Sequence, residues 1–301
     1  MSFSSDVKTE LTSLIPSACC TKAEAFGMLI FGRSFSPSEI SLMTEIQAVA
    51  EHYCTGIRDL TGVTPELICS KAGNYKINIP SRADRLKILE YFGYTGKEIT
   101  LRVNLSNLEQ SNEDCCSKAF LRGAFLVCGS VTDPQKDYHI EFNVTKAKLC
   151  EDLMHIIGDL GLRCKKITRN NSYVIYAKEA ESIEDYIGTM GANHAFLEVM
   201  QTRAMKDIKN QINRRSNFES ANMSRSIEAG LKQVTLIEEV LSKIKLSDMT
   251  KDLEELCSLR LENPDISLDE LGKMMNPELS RSAVSRRFKK LEKIAAELKT
   301  K

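Results

Sequence analysis

No run of about eighteen apolar residues occurs in this 301-residue chain, so no transmembrane helix is expected. The opening MSFSSDVKTELTSLIP lacks a basic stretch followed by an apolar one and carries Asp6 and Glu10 instead. No secretory leader is therefore expected, and the chain is assigned to the cytoplasm. There are ten cysteines but no C-x-x-C. Cys19-Cys20 and Cys115-Cys116 are adjacent pairs. Cys54, Cys69, Cys128, Cys150, Cys164 and Cys257 stand singly in apolar segments. These spacings argue against both a zinc motif and a disulfide framework, and they read as small buried hydrophobes in a reducing compartment. Neither a metal nor a cofactor is expected. Net charge is also lacking, but the formal +0 hides an asymmetry. Residues 1–200 carry 21 basic and 25 acidic side chains, and residues 201–301 carry 20 and 16. The excess of positive charge clusters at Arg203 to Arg225 and at Arg281 to Lys290. Such clusters suit a phosphate backbone, although a solvated helix face gives the same pattern.

A hydrophobic content of 42% supports real cores, and the length allows two or three domains. The strongest internal signal is a repeat displaced by 96 residues. CCTKAEAFGMLIFGRSF from Cys19 and CCSKAFLRGAFLVCGSV from Cys115 share six identities in seventeen positions without a gap. Among them are both cysteine pairs, Lys22/Lys118, Ala23/Ala119 and Gly27/Gly123. The order of elements downstream repeats as well. ISLMTEI alternates like a strand, AVAEHYCTGIRDL is helical, and ELICSK and YKINIP flank a turn at Ala72-Gly73-Asn74. Ser81 and Asp84 open a closing helix that Gly93 stops. In the second half the strand YHIEFNV precedes the helix KAKLCEDLMHIIGDLG. CKKITR and YVIYAK then pair around Asn170-Asn171, and EAESIEDYIGTMG closes the unit. With a short strand after each repeated helix (129–131 in the second), each half reads αββαββα.

Glycine costs about 1 kcal/mol inside a helix, so Gly27 and Gly123 in the middle of apolar helices point to close backbone contact. Two equivalent helices touching there would form a pseudo-twofold axis flanked by two four-stranded sheets. This is a saddle.

The segment 193–228 is polar, rich in Asn, Ser and Arg, and reads as a basic linker. From 203 to 227 it holds six basic and two acidic residues. From Leu231 the pattern is helical, with stripes in KQVTLIEEVLSKI and LEELCSLRLEN. Asn263-Pro264 ends one helix, Ser267 to Glu270 is a capping box opening SLDELGKMM, and Asn276-Pro277 breaks it. Ser280 caps SRSAVSRRFKKLEKIAAELK. Two short helices and a tight turn predict a helix-turn-helix. Leu268, Leu271 and Met275 form the inner face of the first helix, and Val284, Phe288, Leu291 and Ile294 that of the second. Ser280, Arg281, Ser282, Ser285 and Arg286 are the candidates for contacts at base edges, and Arg287, Lys289 and Lys290 for phosphate contacts. Arg214, Arg215 and Arg225 in the linker, and Lys165 and Lys166 on the second hairpin, are secondary DNA-contact candidates. Lys71, Lys76, Arg169 and Lys178 are the other cations of the hairpins.

LRGAFLVCGS at 121–130 resembles the LAGLIDADG motif of homing endonucleases, and AFGMLIFGRS at 25–34 is a weaker copy in the same phase. In that family the acid ending each motif helix binds the divalent metal at the scissile phosphates. The matching positions here are Gly32 and Cys128, so the resemblance implies the fold without the cleavage. Asp133 and Asp137 fall past the helix. The opening MSFSSDVKTEL, the Cys-Cys before the motif, FLRGAFLVCGSVTDPQKDYHIEF and the C-terminal segment together resemble the WhiA family over essentially the whole chain. The chain departs from that family's pattern at Ala283, where glycine is expected, and at Ser285-Arg286, where Asn-His is commoner. The resemblance implies a DNA-binding regulator linked to cell division and chromosome segregation, and to sporulation in some relatives.

The expected architecture is α+β. An N-terminal helical segment (1–18) precedes a LAGLIDADG-like saddle (19–195, repeats about 19–95 and 115–191). A basic linker (196–228) and an all-α helix-turn-helix domain (229–301, motif about 267–300) follow. The expected partner is double-stranded DNA, with the chain cytoplasmic and nucleoid-associated, no membrane, and no catalytic residue. RNA polymerase or a division or regulatory protein is the other candidate partner, with the chain then an adaptor. A working endonuclease is the third reading. Internal pseudo-symmetry already supplies two halves, which leaves the oligomeric state open and a monomer compatible.

Overall fold

The computed structural model describes residues 2–71, 73–108, 114–170 and 172–299. Ala72 and Asn171, each assigned to a hairpin turn from sequence, lie outside them. The chain divides into two compact units, Met1–Lys206 and Asp207–Lys301.

The first unit opens with α1 (Phe3–Thr12), capped by Ser2, whose Oγ accepts a hydrogen bond from Ser5 N. Val7 and Leu11 bury one side of this helix, so residues 1–18 belong to the unit's core. Two copies of one topology follow. In the first, α2 (Ala18–Ile30), β1 (Ser34–Phe35), β2 (Ile40–Thr44), α3 (Gln47–Thr61), β3 (Glu66–Cys69), β4 (Tyr75–Asn78) and α4 (Arg82–Tyr91) form an antiparallel sheet of order β1-β2-β4-β3 with its helices. In the second, α5 (Cys115–Cys128), β5 (Gly129–Val131), β6 (Ile140–Val144), α6 (Ala147–Asp159), β7 (Lys165–Arg169), β8 (Ser172–Ala177) and α7 (Ala180–Met190) give the order β5-β6-β8-β7. The expected αββαββα repeat is observed, including the short strand at 129–131.

Strand alternation separates the two faces of each sheet. Leu42 and Ile77, and in the second sheet Phe142 and Ile175, pack inward. Glu141, Tyr176 and Lys165 share a register position and look outward, as do Met43, Lys76 and Ile68 in the first sheet. The local punctuation follows the sequence. Ser81 Oγ accepts from Asp84 N at 3.3 Å, Gly93 takes φ 79°, and Asn170 takes φ 49° at the second hairpin.

α2 and α5 form the centre of the unit, with nine of thirteen residues buried in the first and nine of fourteen in the second. A Cβ on Gly27 would lie 2.4 Å from Phe120 O, and one on Gly123 2.1 Å from Glu24 O. The two helices therefore meet backbone to backbone at equivalent positions. Glu24 and Arg122 are buried beside this contact. Arg122 Nε donates to Glu24 Oε2 at 2.8 Å, Nη2 donates to the same oxygen, and Nη1 donates to Met190 O at 3.1 Å. His52 Nε2 lies 2.6 Å from the other Glu24 oxygen.

Where a linker was expected, a single helix α8 (Asn193–Leu241) runs. No proline occurs in it, and Asn and Ser lower helix propensity without breaking a helix. The (i, i+4) pairs Arg215–Glu219 and Glu228–Lys232 support its exposed surface. At its start, the Glu10 carboxylate of α1 accepts from His194 N (2.7 Å) and Ala195 N (3.1 Å), placing a negative charge where helix amides are unpaired. The second unit continues with α9 (Lys251–Glu262), α10 (Leu268–Met274) and α11 (Arg281–Lys299).

Candidate nucleic-acid interface

The second unit builds its interface from a turn. Ser267 Oγ accepts from Glu270 N while Ser267 N donates to Glu270 Oε2 (2.9 Å), the reciprocal capping box that starts α10. After Met274 the chain turns back. Leu279 N donates to Gly272 O at 2.9 Å, and a Cβ on Gly272 would stand 2.2 Å from Leu279 O. Gly272 is therefore where the turn closes on α10, a role sequence reading missed, although an isolated glycine in a short helical pattern is its signal. Ser280 O accepts from Ala283 N and Val284 N and so begins α11.

α11 buries Val284, Phe288, Leu291 and Ala295 at helical spacing against Leu253, Leu256, Cys257, Leu271 and Met275. Arg260 of α9 is 1% exposed; its Nη1 donates to Asn263 O (3.0 Å) and Ile266 O (2.8 Å), and its guanidinium stands 5.9 Å from the Phe288 ring centre. This one cation ties the loop before α10 to the core side of α11. Burial lowers its pKa, but an arginine stays charged even so.

The opposite side of α11 carries the predicted contact residues. Ser280, Arg281, Ser282, Arg286, Lys289 and Lys290 are exposed, and Ser285 is half-buried. Arg286 Nε donates to Ser282 O at 3.3 Å, and the Ser280 and Ser282 hydroxyls are 3.0 Å apart. Arg287, the other candidate for a phosphate contact, is half-buried and pairs within the unit. Its Nη2 donates to Asp252 Oδ2 of α9 at 2.9 Å. The reason is phase, since Arg287 lies three residues after Val284 and four before Leu291, on the edge of the buried stripe.

Arg225 of α8 and Arg281 line one cavity of about 580 Å³ together with Asn222, Ser267 and Asp269. Two residues read separately in the sequence thus come together. Arg214 and Arg215 are exposed elsewhere on α8, Arg215 in its pair with Glu219. On β7, Lys165 lies on the outward face with Glu141, while Lys166 alternates to the face of α6, where it acts electrostatically on Cys150 and Glu151. The two lysines do not form one patch.

At the C-terminal ends of α2 and α5 a cavity of about 650 Å³ is lined by Gly32, Arg33, Cys128, Ser130, Glu141 and Lys146, among others. Glu141 is its one carboxylate among the described residues, and His139 Nε2 lies 3.0 Å from it. Burial pushes the Cys128 thiol up to about 12 and the Lys8 ammonium beside it down to about 8. Asp133 and Asp137 accept from Gln135 N and Tyr138 N within their own turn.

At the other end of α2 and α5, Cys19, Cys20, Cys115 and Cys116 converge, all four Sγ atoms lying within 4.8 Å of one another. Among the described residues this is the one group of three or more His, Cys, Asp or Glu side chains placed to hold a metal ion. The pseudo-twofold axis thus brings together two pairs that are 96 residues apart in the chain.

Two family models match the chain: the WhiA LAGLIDADG-like domain over residues 117–209 and the WhiA C-terminal HTH domain over 212–295. A protein from Clostridium perfringens (strain SM101 / Type A), named probable cell division protein WhiA, is 36% identical across 100% of this chain and 99% of its own. One of the same name from Ruminiclostridium cellulolyticum is 33% identical across 99% and 98%. The chain belongs to the WhiA family. The crystal structure of full-length WhiA from T. maritima shares the fold, with a TM-score of 0.61 at 23% identity over 99% of both chains. The WhiA architecture, a LAGLIDADG-like domain with two small sheets followed by a helical HTH region, is the one observed here. No described helix is long and apolar enough to cross a membrane.

Proposed function

We propose that this chain is a sequence-reading DNA-binding regulator of cell division whose LAGLIDADG-like domain performs no cleavage. The observation that carries this reading is the two-sidedness of α11. Val284, Phe288 and Leu291 lock it to the core, while Arg281, Ser282, Arg286, Lys289 and Lys290 stay exposed along one side. Side chains at the start of a helix held in this way can reach base edges in a major groove, and the cations further along can meet phosphates. Arg225, which shares a cavity with Arg281, adds a charge to that surface. The absence of cleavage is supported by Gly32 and Cys128 at the motif ends and by a cavity with a single carboxylate among the described residues, since two-metal phosphodiester chemistry needs acids on both sides. The division role is taken from the names of the relatives.

Genome-wide chromatin capture of the wild-type chain, followed by footprinting of an enriched site, tests the proposal. Arg281→Ala/Arg286→Ala is expected to abolish the footprint while the fold is retained, and Lys289→Ala or Lys290→Ala should weaken binding and flatten its salt dependence by about one unit of slope. No enrichment anywhere would instead favour an adaptor that docks a protein such as RNA polymerase. Cleavage of plasmid DNA with magnesium or manganese would overturn the catalytically silent reading.

A further inference from the structure

We propose that Cys19, Cys20, Cys115 and Cys116 form a closed tetrathiolate site for a single zinc ion, clasping the N-terminal ends of α2 and α5. The Cys19–Cys115, Cys19–Cys20 and Cys115–Cys116 Sγ separations are each 4.0 Å, and all four sulfurs lie within 4.8 Å of one another. Zinc bound to thiolates at about 2.3 Å puts the sulfurs of a regular tetrahedron about 3.8 Å apart. The observed cage is therefore within a few tenths of an ångström of the required size along three edges. It is too open for a disulfide, which needs sulfurs about 2.05 Å apart. It is too tight for a polynuclear iron–sulfur cluster, whose bridging sulfides hold the cysteine sulfurs further apart.

The surroundings fit the chemistry. Zinc binding converts four thiols into four thiolates, releases four protons, and leaves a group of net charge −2. Both cysteine pairs lie in the first turns of helices, where unpaired amides favour negative charge. Lys22 and Lys118 follow one helical turn after Cys19 and Cys115 in each repeat. The Ser17 hydroxyl is 3.3 Å from Cys19 Sγ and can donate to it, the outer-shell contact that orients a ligand. Cys20 and Cys116 are buried while Cys19 and Cys115 are half-buried, which shields the ion yet leaves it a way in.

Four protein ligands leave no open coordination position, so the ion's work is structural. The site also lies away from the cavity at the motif ends. From Cys20 to the end of α2 at Ile30 is ten residues, or about 15 Å of helix. The metal would fix how the two repeats meet, at the end of the helix pair opposite the LAGLIDADG-type cavity.

The full-length chain, produced with zinc in the medium and purified under a phosphine reductant, is expected to retain one zinc per chain by elemental analysis. Cys19→Ser/Cys115→Ser should reduce this to near none, while Cys150→Ser and Cys257→Ser keep it. Because a ligand variant can fail to fold, wild-type protein stripped by a chelator provides a second measurement. Titration with Co2+ should give the charge-transfer and ligand-field bands of a tetrahedral thiolate complex, saturating at one equivalent and abolished by Zn2+. A metal-free chain that takes up no Co2+ would overturn the proposal. So would rapid alkylation and mass spectrometry showing a Cys19–Cys115 disulfide in the freshly isolated protein.

Discussion

Replacing Gly123 with alanine should be among the most damaging single-methyl changes in the chain. The added Cβ would stand 2.1 Å from Glu24 O, 2.9 Å from Glu24 C and 3.1 Å from Met28 N, all backbone atoms of the facing helix. Real Cβ atoms keep at least 3.0 Å from such neighbours, so α2 and α5 must part by about 1 Å. No flexible side chain is available to absorb the move. A gap of that size forfeits about a quarter to a half of the dispersion attraction between atoms facing across it. The Phe26–Phe120 and Phe31–Phe120 ring contacts, at 5.5 and 5.8 Å, lie in that interface. Overpacking commonly costs about 1–3 kcal/mol, and with backbone on both sides the upper end or beyond is expected. For a unit of this size, a loss of about 3 kcal/mol lowers the unfolding temperature by roughly 6–12 °C. Calorimetry should show the transition of the first unit falling and that of the helix-turn-helix unit unchanged. Gly158→Ala is the matched control. A Cβ there meets nothing within 4 Å, and removing a glycine from inside α6 should stabilise by up to about 1 kcal/mol. If Gly123→Ala unfolded within about 1 kcal/mol of wild type, the two helices would not be held apart by their backbones as described.

Three further outcomes are expected. Arg287→Ala should leave a footprint intact and cost no more than about 1 kcal/mol of unfolding free energy, since Arg287 pairs with an exposed Asp252; loss of the footprint would return Arg287 to the DNA contact set. Glu24→Ala leaves Arg122 buried without its carboxylate and should cost about 3–5 kcal/mol in urea unfolding; an effect under about 1 kcal/mol would show that water reaches the site. Burial holds Lys8 near 8 against an ordinary 10.5, so the unfolded chain binds the extra proton between those values. The stability of the first unit should therefore rise as pH increases through that window, and Lys8→Met should remove that component. Equal slopes for the two proteins, measured by urea unfolding between about pH 7.5 and 10.5, would contradict the assignment.

The repeat, its glycines and its caps were legible because each is local or recurs at a fixed offset. Ser81, Gly93 and the Ser267 capping box all perform the roles their spacing predicts. Three things were not legible, for separate reasons. The full extent of the helix α8 is not visible in the sequence, because weak propensity at Asn and Ser says where a helix is costly, not where it ends. The pairing of Arg287 with Asp252 is hidden in composition, which ignores phase, although the spacing from Val284 and Leu291 places Arg287 at the core's edge. The gathering of the four cysteines does not show in their spacing along the chain, because it is a matter of distance in space. The same twofold reasoning that paired Gly27 with Gly123 would have paired Cys19-Cys20 with Cys115-Cys116 had it been carried to the ends of the helices. Lys165 and Lys166, adjacent in sequence, were separated by the simplest rule of a strand, its alternation.

The backbone contact at Gly27 and Gly123 has a consequence for how the family can drift. Where side chains mediate a seam, each substitution resets its width, and both partners must change together. Here the width is set by main-chain atoms, so while both glycines are kept it acts as a fixed gauge between the twin sheets. Side chains flanking the glycines can then differ between the halves, as Arg122 and its counterpart Phe26 do, while the backbone separation stays the same.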